Sequence, residues 1–306
     1  MSKFFLSVLL LLFLFTSCTA PQKITGHVQP HDLEQLIAQL HRPQNGKVMV
    51  AAHRCDWRNH PENSMPALLS AIAMGADIAE IDLKKTKDGH FILLHDRTLD
   101  RNTNGKGNPE NYTLEEIKKL RLKNGLGRVT NVQIPSFTEF LKVAKGKILI
   151  NIDKGYDYFP EVIALLKETG TLQQAIINID DNTTLDEVEA RYGKVPDDVF
   201  LMPVVVYNGH PRSKEVVKSY LRHKKTIFQP VWKDDMLIKE ENFLELKRQG
   251  YGIWMNSLWA SLNGGHDDDS AVEQNRPDET WGWLIQKGAS IIQTDRPEKL
   301  LKYISR

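Results

Sequence analysis

The chain has 306 residues, of which 41% are hydrophobic and 26% are charged, and both fractions are ordinary for a globular protein. Its 40 basic and 39 acidic residues give a formal net charge of +1. Nonspecific nucleic-acid binding needs a concentrated basic face that displaces counterions, so the composition argues against a nucleic-acid partner. The length suits one large α/β barrel domain.

Residues 1–17 have the pattern of a signal peptide. One lysine precedes an apolar run over 4–15 that is too short to span a bilayer. The run leads into "TSC" at 16–18, which resembles a bacterial lipobox in which Cys18 is acylated and becomes the mature N-terminus. We therefore expect an exported periplasmic or cell-envelope lipoprotein whose membrane contact is the lipid on Cys18. The alternative is an ordinary secretion signal with an incidental cysteine.

Residues 18–46 form the predicted lipid-anchored N-terminus, a polar tether that ends in a short outer helix at "HDLEQLIAQLH". The remainder, 47–306, is predicted to be a single domain. The second cysteine is Cys55, so a lipid on Cys18 would leave no intramolecular disulfide. Cys55 lies two residues after His53 and could be a nucleophile, although a buried thiol is the more common environment for a free cysteine.

Apolar runs typical of strands alternate with amphipathic runs typical of helices over the rest of the chain. Helical stretches such as "SMPALLSAIAMG" and "YFPEVIALLKETG" have apolar residues at three- and four-residue spacing and end on glycine. This alternation predicts a parallel sheet covered by helices. The strand candidates are 47–53, 77–83, 91–95, 147–153, 175–179, 199–206, 226–232, 251–256 and 290–294.

Nine strands are one more than a (β/α)8 barrel needs. The dipeptide Asp88-Gly89 separates two of the apolar runs and is a strong hairpin pattern, because both residues tolerate a positive φ. The connection is also too short for a parallel crossover. We therefore predict an α/β protein with a TIM-type barrel and an extra β-hairpin strand after the second barrel strand.

The register of this hairpin predicts a cluster of polar side chains. With Asp88 and Gly89 as the two turn residues, Asp82 lies opposite His95, and residues that lie opposite share a face. Glu80 points the same way, two residues earlier. Two carboxylates and an imidazole suit a hard divalent cation, without which the carboxylates would repel each other. The alternative is a pair of solvated strand-end carboxylates, but "DIAEID" interleaves them with isoleucines.

Several motifs together resemble one known family. The pieces "AHR", "PENS", "EIDLK", "TKDG", "LLHDRTLDRNTNGKG", "TLEEIKKLRL", "IPSFTEFL" and "IIQTDRP" extend from about Lys47 to Pro297. In combination they resemble the glycerophosphodiester phosphodiesterases, whose (β/α)8 barrel is related to that of phosphatidylinositol-cleaving phospholipases. The resemblance covers nearly the whole mature chain.

The resemblance implies roles for five residues. His53 and His95 match the catalytic acid–base pair of the family, although His95 also matches a metal-binding role in that family. Arg54 matches the phosphate-binding arginine, whose planar fork suits paired phosphate oxygens. Glu80 and Asp82 match the metal-binding "E-x-D" motif.

The chain departs from the family pattern at the next strand, where "E-x-K" is replaced by "INIDKG". We expect Asp153 rather than Asn151 to be the third metal ligand, because a charged oxygen binds such a cation better. Lys154 would point away from this face unless the strand ends at Asp153 and the backbone turns. Glu62, in "PEN", is expected either to hold the first histidine or to lie in the outer shell of the metal.

Two later segments add candidates on the same rim of the barrel. Trp254 and Asn256, on the seventh barrel strand, are possible walls of the substrate pocket. The run "GGHDDDS" at 264–270 is either a solvated acidic loop or a second metal site that includes His266.

The resemblance implies hydrolysis of small-molecule glycerophosphodiesters to glycerol 3-phosphate and an alcohol such as choline, ethanolamine or inositol, with Ca²⁺ or Mg²⁺ as the cofactor. Two alternatives remain open. One is a phospholipase-type phosphodiesterase acting on lyso-lipids or glycerol-phosphate polymers, which needs an extended groove. The other is a noncatalytic phosphate-binding lipoprotein, which has no need of an acid–base pair.

Overall fold

The computed structural model describes residues 32–45 and 47–305. The predicted signal peptide, the proposed lipidation site at Cys18 and the first part of the tether lie outside the described residues. Within the described ranges, no helix combines the length and the apolar character needed to cross a membrane.

Nine strands form one sheet, and eight of them close into a parallel barrel in the order β1-β9-β8-β7-β6-β5-β4-β2, with β2 paired to β1. The ninth, β3, pairs antiparallel with β2 outside the barrel, so the predicted fold is confirmed. The strands are β1 Met49–Ala52, β2 Ile78–Lys85, β3 Phe91–Leu93, β4 Leu149–Asp153, β5 Ala175–Ile179, β6 Phe200–Tyr207, β7 Ile227–Trp232, β8 Gly252–Asn256 and β9 Ile291–Thr294.

The helices that follow the first strand cover the outside of the barrel and pack on it through a continuous apolar core. The helices of the described residues are α1 Leu33–His41, α2 Met65–Met74, α3 Leu114–Lys118, α4 Phe137–Ala144, α5 Phe159–Thr169, α6 Leu185–Tyr192, α7 Arg212–Tyr220, α8 Phe243–Arg248, α9 Asp268–Val272, α10 Trp283–Lys287 and α11 Pro297–Ile304. The site-bearing loop after β1 leads directly into α2, which begins at the N-cap Ser64 and ends at Gly75 in the left-handed region.

The barrel interior changes from apolar at the amino ends of the strands to polar at the carboxyl ends. Ile78, Leu149 and Ile176 are buried in the lower interior together with Leu36 and Leu40 of α1. The short helix α1 is therefore a plug beneath the barrel rather than an outer helix as predicted, because its apolar stripe packs against these interior side chains. Glu80 and Asp82 lie above Ile78 on the same inward face of β2, since alternate strand residues share a face.

The predicted register of the hairpin is wrong by one residue. Lys85 pairs with Phe91 and Leu83 with Leu93, so Thr86 bonds to His90 across a three-residue turn. Gly89 ends that turn with a φ of 82°, the left-handed conformation of a three-residue hairpin loop. Consequently Leu94, not His95, lies opposite Asp82.

A small lobe between β3 and α4 supports the segment that carries His95. Its core consists of side chains separate from the main core: Ile92, Leu94, Leu99, Ile117, Leu122 and Ile134. The strand ends at Leu93 and the chain bends over 96–99. His95 lies two residues beyond the end of β3, outside the strand pairing, and lines the cavity at the barrel mouth.

Candidate active site

A cavity of about 290 Å³ opens at the carboxyl ends of the barrel strands, the end at which barrel enzymes place their active sites. It is lined by most of the predicted site residues and by several that the sequence did not single out. The lining residues are His53, Arg54, Glu80, Asp82, His95, Asp153, Asn178, Asp181, Val204, Val206, Gln229, Val231, Asn256, Leu258, Trp259, Leu262 and Gln293.

His53 follows β1 and is held by a carboxylate from the far end of the chain. Its Nδ1 lies 2.7 Å from Oδ1 of Asp295, which also accepts from Trp57 Nε1 at 2.6 Å. Burial disfavours the charged imidazole, but the hydrogen bond to Asp295 and the charge of Glu80 outweigh it and raise the pKa of His53. Because an ionised carboxylate only accepts, Nδ1 carries a proton and Nε2 is left for chemistry.

His95 also pairs through Nδ1 with a carboxylate, Oδ1 of Asp96 at 2.8 Å. Asp96 in turn accepts from Nε of Arg101 at 2.7 Å. Burial is the largest cause acting on His95 and lowers its pKa, although the charge of Asp82 opposes it. The two histidines therefore have similar partners and pKa values displaced in opposite directions.

The backbone after β1 is folded so that Arg54 faces the carboxylates. Arg54 and Cys55 have φ values of 48° and 63°, in the left-handed region that costs a residue with a Cβ about 1–3 kcal/mol. The Arg54 amide donates to Oε2 of Glu80 at 2.6 Å, and the next amide, of Cys55, donates to the Glu80 carbonyl at 3.1 Å. These two bonds hold the bend against β2.

Glu62 holds arginines, so the prediction that it holds the first histidine is wrong. Its carboxylate accepts from Nη1 of Arg54 at 3.2 Å, from both Nη atoms of Arg101 at 2.9 and 3.0 Å, and from Nδ2 of Asn102 at 2.7 Å. Burial would raise the pKa of Glu62, but the bond from Arg101 and the charge of Arg54 lower it. Glu62 thus fixes the guanidinium of Arg54 at the cavity wall.

Lys154 reaches the site because β4 ends at Asp153 and the backbone turns there. The sequence had left this arrangement open. The Lys154 φ of 59° turns the chain immediately after Asp153. Nζ then donates to Oδ1 of Asp82 at 2.8 Å and to the carbonyl of His95 at 2.9 Å. The other Asp82 oxygen accepts from Nδ2 of Asn63 at 2.8 Å. Burial opposes ionisation of Asp82, but the charge of Lys154 dominates and holds its pKa well below the usual range.

Glu80, Asp82 and Asp153 form the metal candidate. Each offers a carboxylate oxygen, and these oxygens all lie within 4.8 Å of one another. Burial and the charge of Asp82 raise the pKa of Glu80 to about 8 and that of Asp153 to about 6. Three crowded carboxylates, two of them resisting ionisation, are the donor set that a hard divalent cation would satisfy. Asn151 lies one layer below and donates to Oδ1 of Asn178 at 2.6 Å.

The structure corrects two predictions on the later strands. Trp254 is fully buried in the lower barrel and does not form a pocket wall, whereas Asn256 does line the cavity. In 264–270, Asp268 is buried rather than solvated and accepts from Thr294 Oγ1 at 2.8 Å and from the Asp295 amide at 2.7 Å. Nε2 of His266 lies 3.0 Å from Oδ2 of Asp235 and forms a hydrogen bond with it.

Cys55 is buried, and burial together with the charge of Glu80 raises the pKa of its thiol well above the ordinary value. A thiol of this kind is a poor nucleophile. The structure therefore supports the interpretation of Cys55 as a packed side chain.

The sequence analysis missed the residues that position the site. Asp295 lies within "IIQTDRP" and could have been recognised as a polar residue at the end of the last barrel strand. Asn63 follows Glu62 in "PENS", and Asp96 follows His95 in "LLHDR". Each lies within a quoted motif, but its partner is fixed only by tertiary structure.

Comparison with known proteins indicates the family of the chain. The model of the glycerophosphoryl diester phosphodiesterase family matches residues 53–194, and a model described as a domain of unknown function matches residues 201–304. A glycerophosphodiester phosphodiesterase from Parabacteroides distasonis has a solved structure with a TM-score of 0.73 and 25% identity, covering 90% of this chain and 93% of that one. A second, from Agrobacterium tumefaciens, has a TM-score of 0.58 at 21% identity, covers 82% of this chain and 97% of that one, and shares the fold.

Two curated relatives match different lengths of the chain. The glycerophosphodiester phosphodiesterase of Caldanaerobacter subterraneus is 37% identical over 151 residues, which is 47% of this chain and 62% of that protein, so the match spans less than two thirds of the relative. The uncharacterized protein YqiK of Bacillus subtilis is 34% identical over 258 residues, 82% of this chain and 96% of its own. With motifs, fold and relatives in agreement, the chain belongs to the glycerophosphodiester phosphodiesterase family.

Proposed function

We propose that the protein hydrolyses glycerophosphodiesters to glycerol 3-phosphate and an alcohol, with a divalent cation as cofactor. The observation that carries this proposal is the shared cavity of His53, His95 and the three carboxylates. The names of the relatives point to the same activity.

The displaced pKa values support an assignment of the two histidines. His95, whose pKa is lowered, is neutral near pH 7 and is the proposed base. It takes a proton either from the attacking water or from the neighbouring glycerol hydroxyl, whose attack would give a cyclic phosphate that water then opens to glycerol 3-phosphate. His53, whose pKa is raised, is the proposed acid that protonates the leaving alkoxide. Asp295 and Asp96 hold the rings with Nε2 free for these transfers.

The phosphate is proposed to lie beside the guanidinium of Arg54 and the cation that the three carboxylates would hold. The Nε of Arg54 is buried, lies 3.7 Å from Oδ2 of Asp82 and makes no hydrogen bond to any residue in 32–45 or 47–305, so its N–H is the proposed donor to a phosphate oxygen. A divalent cation, Ca²⁺ or Mg²⁺, held by Glu80, Asp82 and Asp153 would polarise the phosphate as a Lewis acid. Lys154 offsets the excess negative charge of the three carboxylates through Asp82.

The cavity favours this reading over the two alternatives. A volume of about 290 Å³ suits a small polar diester better than an acylated lipid or a polymer. A binder that only holds phosphate has no use for two histidines with displaced pKa values and dedicated carboxylate partners.

The test is product identification. Purified protein with Ca²⁺ or Mg²⁺ is incubated with glycerophosphocholine, glycerophosphoethanolamine and glycerophosphoinositol, and glycerol 3-phosphate is measured with a coupled dehydrogenase. We expect release from at least one of these diesters. Failure to release glycerol 3-phosphate from all three, with either cation, would contradict the proposed function.

We also propose that Cys18 carries lipid and attaches the protein to the cell envelope, on the strength of the apolar run and "TSC". Metabolic labelling with a palmitate analogue should mark the wild type and not Cys18→Ser. Unlabelled wild type would refute the anchor without affecting the proposed chemistry.

A further inference from the structure

The cavity half opposite the carboxylates contains a buried acceptor that no described residue satisfies. Gln229, on β7, is 7% exposed and lines the cavity. Its Oε1 accepts no hydrogen bond from any residue in the described part of the chain. Leaving a buried acceptor unsatisfied costs about 1–3 kcal/mol, so a donor supplied from the cavity is the natural partner.

Two neighbouring amides present donors to the same space. Nε1 of Trp254 donates to Oδ1 of Asn256 at 3.0 Å and to Oε1 of Gln293 at 3.2 Å. An indole N–H can only donate, so it fixes both amide oxygens toward the barrel interior and turns both NH2 groups away from it. Neither NH2 group bonds to a residue among those that the structure describes, and both residues line the cavity.

The remaining wall is apolar and aromatic. Val231 and Leu258 line it together with Trp259, a residue that is 47% exposed. Among the described lining residues, no Lys or Arg comes from the β6–β9 side. An acceptor, two donors and an aromatic face match a ring or chain that carries several hydroxyl groups, because a hydroxyl both donates and accepts. A quaternary ammonium does neither, and a primary ammonium only donates.

We propose that this half of the cavity binds the alcohol moiety of the substrate and selects a hydroxyl-rich alcohol, of the polyol or sugar class, over choline and ethanolamine. The inference rests on the proposed function and specifies its substrate class. Two lining residues of this side would favour an ammonium instead: Asp181, an exposed carboxylate at the rim after β5, and Trp259, through a cation–π contact. A site for a hydroxyl-rich alcohol and a site for an ammonium predict opposite orders of kcat/KM among the substrates.

The experiment compares kcat/KM for glycerophosphoinositol, glycerophosphocholine and glycerophosphoethanolamine, which share their glycerol phosphate part. We expect the wild type to prefer the inositol diester over both ammonium diesters by about tenfold or more, because buried polar groups left unpaired penalise the wrong substrate. Gln229→Leu should lower the inositol-to-choline ratio about 3- to 10-fold, the loss of one hydrogen bond. The control Gln249→Leu, an exposed residue at the end of α8, should leave the ratio unchanged.

An unchanged ratio in Gln229→Leu would overturn the inference, as would a wild-type preference for either ammonium diester. Thermal unfolding checks that the variant is folded, and the ratio is insensitive to the fraction of active protein. If no diester is hydrolysed, the proposed function fails, and the subsite is decided by calorimetric titration of His95→Ala with the same three compounds. Tighter binding of the inositol diester supports the subsite, whereas equal or weaker binding overturns it.

Discussion

The two halves of the barrel mouth differ in what they offer a substrate. The half built from β1 to β4 carries the histidines, Arg54 and the metal candidate, and four of its non-glycine residues have a left-handed backbone: Arg54, Cys55, Asn63 and Lys154. The half built from β6 to β9 carries neutral amides and apolar side chains. The family model matches 53–194, which contains the residues that follow β1 and the strands β2 to β5, and the domain of unknown function matches 201–304, which contains nearly all of β6 to β9. In this protein, left-handed and multiply bonded backbone holds the charged half, and the two other left-handed non-glycine residues of the described ranges, Asn182 and Asn275, do not line the cavity.

The largest expected effect is the loss of either histidine from the charged half. His53→Ala and His95→Ala should each lower kcat by about 10²- to 10⁴-fold, because each removes one of the two proposed proton-transfer groups. His90→Ala, an exposed histidine in the hairpin turn, is the matched control and should retain full activity. Near-normal turnover in either active-site variant, with native circular dichroism, would refute the acid–base pair.

The carboxylates of the charged half give a pH-dependent response to metal. In metal-free protein the pKa of Glu80 is raised to about 8 and that of Asp153 to about 6, so the folded state holds protons that the unfolded state releases at lower pH. Metal-free protein should therefore lose stability as the pH rises from about 4 to 8. A bound cation replaces those protons, and at 100 times its Kd it adds about 2.7 kcal/mol.

The measurement is thermal unfolding of chelated and Ca²⁺-loaded protein at pH 5 and pH 8. The increase in Tm on adding Ca²⁺ should be larger at pH 8, and Asp153→Asn should reduce it. An equal increase at both pH values would mean that the cation does not compete with protons at these carboxylates.

Asp295→Asn tests the positioning of His53 by the last strand. The substitution removes the negative partner of the imidazolium, a charged hydrogen bond of about 1.5–3 kcal/mol, so kcat/KM should fall about 10- to 150-fold. The pKa of His53 should also fall, because the bond to Asp295 is the largest of the causes that raise it. A pH–rate profile that is unchanged in shape would show that Asp295 has only a structural role.

The smallest effect is expected at Glu62, which acts on the substrate through Arg54. Glu62→Gln keeps the shape of the side chain but removes the charge that strengthens its hydrogen bonds from Arg54. KM should therefore rise by about two- to tenfold with little change in kcat. Glu115→Gln, an exposed glutamate in the first turn of α3, is the control. An equal fall in kcat would place Glu62 closer to the reacting atoms than its contacts indicate.

The sequence predicted the fold and the composition of the charged half, because strand–helix alternation and the motifs are local. It did not predict the hairpin register, since "DG" is compatible with turns of two or three residues, and only the pairing of Lys85 with Phe91 decides between them. It left Lys154 undecided, because one left-handed residue after β4 reverses the direction of a side chain. Asp295 was missed because its contact with His53 spans 242 residues.

The role of Trp254 was misjudged for a related reason. Its position on β8 places it in the barrel interior, but its depth along the strand decides whether it lines the pocket. Trp254 lies below the pocket, where its indole N–H holds the amide of Asn256. Asn256, two residues later on the same face, reaches the cavity. Alternation predicts the face of a strand and not the layer at which the cavity begins.

The most direct test of the central claim is turnover by protein freed of metal with a chelator and then titrated with Ca²⁺ or Mg²⁺. The account predicts that glycerol 3-phosphate release stops in the metal-free protein and returns in proportion to the bound cation, saturating at one ion per chain. Asp82→Asn should fail to regain it. Full turnover in the metal-free protein would contradict the account.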